Sequence, residues 1–170
     1  MSRLYAVPLG VLGLVLVTAL ERLESYTSVR GDPCAILVTY LAFRFDMMGG
    51  IFSAMLLGFF LDTFSGAPTG LHMMSLQLLF VVLRISANAF QLDPGVRLLP
   101  VAVAAAWLHA TLVTLMVGIF GEGTLQFAGL WKSSAPSLLF NAVLGLVLLY
   151  AVDRLAQRVM PDSEHMFIVR

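Results

Sequence analysis

Six apolar runs, separated by short polar breaks, constrain this chain more than any other feature of its sequence. A helix that crosses the hydrocarbon core of a bilayer, roughly 30 Å thick, needs about 20 residues. The runs approach that length, and 59% of the residues are hydrophobic while only 12% are charged. We therefore predict an all-α integral membrane protein, with residues 1–170 forming a single transmembrane domain, a bundle of six transmembrane helices. The approximate spans are 4–20, 33–46, 48–63, 70–91, 97–119 and 134–155.

A short polar break separates the second and third predicted spans. Arg44, Asp46 and the pair Gly49 and Gly50 interrupt the apolar residues there. One continuous helix would need about 30 residues, which exceeds the usual length of a span, so two short or tilted helices are favoured. Five spans is the alternative. The first run has no small-x-small cleavage site before Glu21, so we predict that it is retained as a span.

The distribution of basic residues predicts that both termini are cytoplasmic. Six spans place the two termini on one side of the membrane, and cytoplasmic loops carry an excess of Lys and Arg. With the N-terminus inside, seven basic residues face the cytoplasm and three face outward. The inward set is Arg3, Arg44, Arg84, Arg97, Arg154, Arg158 and Arg170, and the outward set is Arg22, Arg30 and Lys132.

Three predicted spans carry small or short polar residues at every fourth position, which places them on one face of a helix. Membrane helices pack closely through such residues. We therefore predict that the third, fifth and sixth spans form an inner bundle, and that the bulkier fourth span is peripheral, against lipid or a partner helix. The stripes are Gly50, Ala54, Gly58 and Asp62 in the third span, Ala102, Ala106, Ala110, Thr114 and Gly118 in the fifth, and Ser137, Asn141 and Gly145 in the sixth.

Composition argues against several classes of function. Ten basic residues balance ten acidic ones, so no net charge favours nucleic acid. Cys34 is the only cysteine, and His72, His109 and His165 lack the spacing of metal ligands, so neither an intramolecular disulfide nor a metal site is expected. No nucleophile and base are paired by sequence position, and no phosphate-binding loop is evident. We predict a protein that is not an enzyme and needs no cofactor.

The segment GFFLDTFSGAPTG, residues 58–70, places a carboxylate at the end of a span and follows it with turn-forming residues. Gly66 and Gly70 can adopt positive φ, and Pro68 has a fixed φ, so a tight outward turn is predicted. Asp62 can accept hydrogen bonds from backbone N–H groups of this turn or from the Ser65 hydroxyl. Two alternatives are that Asp62 contacts a partner directly or is solvated at the membrane surface.

This segment resembles a motif of the bacterial rod shape-determining MreD family, in which a pattern similar to G-F-x-x-G-L-x-x-D-x-x-S-G-x-P-L-G-L-H recurs. Asn141, near the start of the last span, resembles an Asn at the same place in that family and is expected to form an interhelical hydrogen bond. Phe59, Phe60 and Thr69 depart from the pattern, but the carboxylate and the turn glycines are kept. The matching positions are Gly58, Asp62, Ser65, Gly66, Pro68, Gly70, Leu71 and His72.

The resemblance implies a noncatalytic inner-membrane scaffold of the rod complex, or elongasome, that supports cell shape and lateral peptidoglycan synthesis. It implies binding to MreC, a single-span protein with a periplasmic domain, and proximity to RodA, to a class B penicillin-binding protein and, indirectly, to MreB. The implied fold is similar to the six-helix substrate-binding subunits of energy-coupling-factor transporters. The residues expected to bind a partner or to hold the structure are Gly58, Asp62, Ser65, Gly66, Pro68, Gly70 and Asn141.

The alternative function is a small-molecule, vitamin-like binding or transport subunit. It predicts an outward cavity ringed by Asp62, Trp107, His109 and Asn141. The C-terminal tail, 154–170, mixes basic and acidic residues and is expected to anchor the chain at the membrane interface or to meet MreB.

Overall fold

The computed structural model describes residues 31–65, 70–89, 96–120 and 134–159. These residues form five α-helices and one short 3-10 helix, and no strand occurs among them. The predicted span 4–20 and the turn residues Gly66 and Pro68 lie outside the described residues. The helices are α1 (Pro33–Arg44), α2 (Met47–Ser65), α3 (Leu71–Ala89), α4 (Leu99–Phe120) and α5 (Ser134–Val159), and the 3-10 helix, Val96–Leu98, leads into α4.

The second and third apolar runs form two separate helices, α1 and α2. Asp32 caps the start of α1 because its side chain accepts a hydrogen bond from the Ala35 N–H, and Pro33 provides a fixed φ in the first turn. Phe45 is extended, with φ −107° and ψ 159°, and ends α1. Asp46 then caps α2 by accepting from the Gly49 N–H at 3.2 Å. The break predicted from the sequence is therefore a helix end followed at once by a helix start.

Three of the described helices are long and apolar enough to cross a membrane, namely α2, α4 and α5 over Met47–Phe64, Leu99–Ile119 and Pro136–Arg154. Helix α1 is apolar but shorter, and the apolar part of α3, Leu71–Ala87, is also shorter than these spans. Large hydrophobic side chains such as Phe52, Ile85 and Val143 are exposed on the outside of the helices. An apolar exterior of this kind suits a lipid environment and not water, which agrees with a membrane protein.

Helix α1 lies at the centre of the described residues. All ten residues from Pro33 to Ala42 are buried, and α1 packs against α2, α3, α4 and α5. The predicted inner bundle of the third, fifth and sixth spans is therefore wrong, because α2 packs mainly against α3. The stripe of the third span does face a neighbouring helix, because an added Cβ at Gly50 or Gly58 would meet Phe80 or Met73 of α3. A close contact between two helices does not, however, require either of them to be central.

Helix α3 is not peripheral as predicted, because it contacts α1, α2 and α4. Its buried side includes Leu76, Leu79 and Phe80, each with no exposed surface. Its other side does face outward, and the exposed residues there are Met74, Leu78, Val82 and Ile85. Helix α3 thus has one face packed against its neighbours and one face available to lipid or to a partner.

Candidate functional site

Asp62 caps α3 from the neighbouring helix α2. Its Oδ2 accepts hydrogen bonds from the backbone N–H groups of Gly70 at 2.9 Å and Met73 at 3.2 Å, and its Oδ1 accepts from the His72 N–H at 2.8 Å. The first N–H groups of a helix have no partner within the helix, and a carboxylate also interacts favourably with the helix dipole there. Asp62 is only 6% exposed. The carboxylate is therefore used to close the α2–α3 connection and is not simply solvated.

Gly70 and Gly58 allow this connection for two different reasons. Gly70 has φ +96°, a conformation that strains any residue with a Cβ, although nothing lies within 4 Å of the place where that Cβ would stand. At Gly58 an added Cβ would be 2.3 Å from Met73 Cα and 2.9 Å from the His72 carbonyl oxygen. Gly70 thus provides the turn, and Gly58 lets the two helix backbones approach until Asp62 reaches its donors.

The other predicted residues of this segment are only partly described. Ser65 is the last residue of α2, and its side chain is not described. The hydrogen bond expected from its hydroxyl to Asp62 therefore stays a prediction. Gly66 and Pro68 lie outside the described residues, as does the predicted positive φ of Gly66.

A second polar cluster, which we call the inner cluster, consists of Asp32, Ser75, His109 and Asn141. His109 Nδ1 contacts Asp32 Oδ2, and His109 Nε2 lies 3.0 Å from Ser75 Oγ. The Asp32 backbone N–H donates to Asn141 Oδ1 at 2.8 Å. Ser75, His109 and Asn141 are buried. Because the four residues come from the start of α1 and from α3, α4 and α5, the cluster connects four helices.

The two clusters meet at the first turn of α3, where His72 belongs to both. Asp62 binds the His72 N–H, and Ser75 Oγ donates to the His72 carbonyl oxygen at 3.1 Å. The His72 and His109 rings lie near each other, with centroids 5.9 Å apart. His72 Nδ1 is buried without a hydrogen-bond partner. The backbone of one helical turn is thus held from α2 on one side and from the inner cluster on the other.

Sequence reasoning missed the inner cluster, because it considered only Ser and His residues paired by sequence position. The partners are far apart in sequence, 34 residues for Ser75 and His109 and 77 for His109 and Asp32, so spacing could not reveal them. Two signals were present. Asp32 before Pro33 is a helix start, and an ionisable residue such as His109 within an apolar span usually has a polar partner.

The contacts run from the Ser75 hydroxyl to the His109 ring and on to the Asp32 carboxylate. In serine hydrolases the nucleophile, the base and the orienting acid are connected in the same way. Ser75 has no exposed surface, however, and the backbone N–H groups of the adjacent helix start are already bound by Asp62. A substrate needs access to the hydroxyl and free donors for the developing oxyanion. The arrangement is therefore better suited to holding helices than to catalysis. The described residues contain no group of three or more side chains that could hold a metal ion.

Only two of the four residues predicted to ring an outward cavity come together, because His109 and Asn141 both contact Asp32 in the inner cluster. Trp107 is 42% exposed, whereas His109, two positions further along α4, is buried against Asp32. Asp62 and Asn141 are bound to backbone N–H groups of different helix starts. Of the residues predicted to form a small-molecule site, Asp62 connects α2 to α3, His109 and Asn141 belong to the inner cluster, and Trp107 lies on the outer surface.

Comparison with known proteins identifies the family of this chain. No curated protein and no solved structure matches the chain. The family model described as rod shape-determining protein MreD matches residues 5–159 of the 170 residues. That range contains the Asp62 turn, the inner cluster and all five described helices. The chain therefore belongs to the MreD family of rod shape-determining proteins.

Proposed function

We propose that this chain is a noncatalytic scaffold of the bacterial inner membrane, which binds MreC within the elongasome and so supports lateral peptidoglycan synthesis. RodA and a class B penicillin-binding protein are the proposed neighbours, and MreB is reached indirectly. Membership of a rod shape-determining family supports a role in cell shape. The observation that carries the scaffold proposal is that the Asp62 carboxylate accepts three backbone hydrogen bonds, which hold α2 and α3 together.

The proposed architecture has six spans with both termini in the cytoplasm. The five described helices and the apolar run 4–20 support this count. The excess of basic residues on the inward side supports the orientation. The similarity to substrate-binding subunits of energy-coupling-factor transporters stays a prediction. Cysteine labelling from outside the cell, at sites introduced at positions 66–69 of a Cys34→Ala variant, where the sequence predicts an outward turn, tests the orientation.

The proposed docking surface for the MreC transmembrane helix is the exposed face of α3. Val82 and Leu78 lie on this face, opposite the residues that pack against α1 and α2. Helices in lipid associate by close packing, so a bulky side chain at the contact should block it. We expect Val82→Trp to reduce MreC binding and Val143→Trp, on the exposed side of α5, to leave it unchanged. Equal binding by both variants would place the contact elsewhere.

Co-purification with MreC from the same organism tests the scaffold proposal directly. The informative variant is Asp62→Ala, which removes the acceptor for three N–H groups at the start of α3. Asp46→Ala is the matched control, because Asp46 is an exposed carboxylate that caps the other end of α2. We expect the wild type and Asp46→Ala to retain MreC and Asp62→Ala to lose most of it. Undiminished MreC binding and normal rod shape with Asp62→Ala would refute the proposal that this turn organises the scaffold.

A further inference from the structure

Asp32 and His109 bring a carboxylate and an imidazole together where α1 begins; the imidazole is buried, and the carboxylate is partly buried, with 21% of its side chain exposed. His109 is 3% exposed and lies at the middle of the 22-residue helix α4. Asp32 immediately precedes α1, which has 12 residues and is roughly 18 Å long. Because Asp32 contacts His109, α1 begins level with the middle of α4 and not at its end. Ionisable groups at such a position are costly unless they are paired.

The neighbours of His109 indicate where its protons are. Nδ1 faces the Asp32 carboxylate, which accepts hydrogen bonds. On the other side of the ring, Ser75 Oγ lies 3.0 Å from Nε2 and 3.1 Å from the His72 carbonyl oxygen. A carbonyl oxygen only accepts, and a hydroxyl has one hydrogen. When Ser75 donates to His72, its oxygen accepts from Nε2, so both ring nitrogens of His109 are donors.

We propose that His109 is an imidazolium paired with the Asp32 carboxylate, and that this partly buried ion pair is a positioning site for the part of the bundle around the first turn of α3. The pair fixes the start of α1 against α4. Ser75 contacts both the His109 ring and the His72 carbonyl oxygen and so connects the pair to α3. Asn141 of α5 accepts a hydrogen bond from the Asp32 N–H and so connects the pair to α5. The Asp62 cap and the ion pair then hold the same turn from opposite sides. This proposal does not depend on MreC binding.

Other ionisable groups surround the pair on the described helices. Cys34 in the first turn of α1 and His72 on α3 interact electrostatically with Asp32, and Asp62 on α2 interacts with His72. Helix α5 contributes the uncharged Asn141. The carboxylates of Asp32 and Asp62 are thus the acidic groups that face the two imidazoles from α1 and α2.

Substitutions that keep shape and remove charge test the ion pair. Asp32→Asn preserves an acceptor for the Ala35 N–H, and Asp46→Asn makes the same change at the exposed cap of α2. Asn and Asp are equivalent helix caps, so the control should leave the apparent melting temperature in detergent unchanged. Asp32→Asn leaves a buried cation without its partner, and we expect it to lower that temperature by about 6 °C or more. Adding His109→Phe to Asp32→Asn should restore part of the loss, because the unpaired charge is removed.

Nitrogen-15 NMR of the wild-type protein tests the proton assignment without any destabilised variant. The chain has three histidines, and the signals absent from His109→Phe belong to His109. At neutral pH we expect both His109 ring nitrogens to be protonated. One bare ring nitrogen, or an Asp32→Asn variant as stable as Asp46→Asn, would overturn the proposal.

Discussion

Gly58→Ala should separate α2 from α3 although it adds a single methyl group. The new Cβ would stand 2.3 Å from Met73 Cα and 2.7 Å from Met73 N. These are backbone atoms, so no side-chain rotation can relieve the contact. Carbon atoms in contact are about 3.5–4.0 Å apart, and the two helices must therefore move roughly 1 Å or more away from each other.

The main cost of this movement is the loss of the Asp62 cap. Its three hydrogen bonds now measure 2.8 to 3.2 Å, and an extension of roughly 1 Å exceeds the range of a useful hydrogen bond. Hydrogen bonds to a charged group contribute about 1.5–3 kcal/mol each, whereas Gly→Ala within a helix gains about 1 kcal/mol. With partial relaxation we expect a net loss of about 2–4 kcal/mol, which corresponds to a drop of roughly 4–16 °C in the melting temperature.

Thermal unfolding in detergent, together with hydrogen exchange at single amides, measures both parts of this effect. The matched control is Gly145→Ala, whose Cβ meets only side-chain ends, Leu99 Cδ1 at 3.0 Å and Ile36 Cδ1 at 3.8 Å. In Gly58→Ala the amides of His72 and Met73 should exchange faster, and in Gly145→Ala they should not. A Gly58→Ala protein with the wild-type melting temperature and protected His72 and Met73 amides would refute the reasoning.

Three further substitutions follow from the same structure. Asp62→Asn removes the charge and one carboxylate oxygen, so at least one N–H at the start of α3 loses its acceptor; we expect a loss of about 1.5–3 kcal/mol in thermal unfolding, and no loss would contradict the capping role. Gly70→Ala should lower the free energy of unfolding by about 1–2 kcal/mol because of the φ of +96° alone, and Gly70→Asn should lower it less because Asn tolerates positive φ. A larger loss with Asn than with Ala would exclude this explanation. Arg84 Nη1 donates to the Ala42 carbonyl oxygen near the end of α1 at 2.9 Å. Arg84→Met should therefore lower the free energy of unfolding by about 1 kcal/mol and speed hydrogen exchange of the last α1 amides. Arg154→Met, at an exposed position of α5, is the control.

Local patterns in the sequence predicted much of this structure. The apolar runs located the described helices, and Asp46 with the following glycines marked the start of α2. The acceptor role of Asp62 followed from turn chemistry, because the donors lie only 8 to 11 residues further along the chain. These features depend on neighbouring residues, which a single sequence displays directly.

The central position of α1 and the inner cluster depend on contacts between distant residues. A stripe such as Gly50, Ala54 and Gly58 shows which face of a helix can be approached, but not which helix will occupy it. Helix α1 has apolar residues on every side, so its sequence pattern does not indicate which side packs against which neighbouring helix. The pairing of Asp32 with His109 spans 77 residues and arises only once α1 and α4 are packed.

The shortness of α1 has a consequence for how the protein is made. A segment of 12 residues, bounded by Asp32 and Arg44, is too short to be released into the bilayer as an independent span during synthesis. Its neighbours α3, α4 and α5 are translated after it, and among the described helices they make most of its contacts. Helix α1 therefore reaches its final place only after the C-terminal half of the chain has been inserted, and chains truncated before α4 should be recognised by membrane quality-control proteases as incomplete.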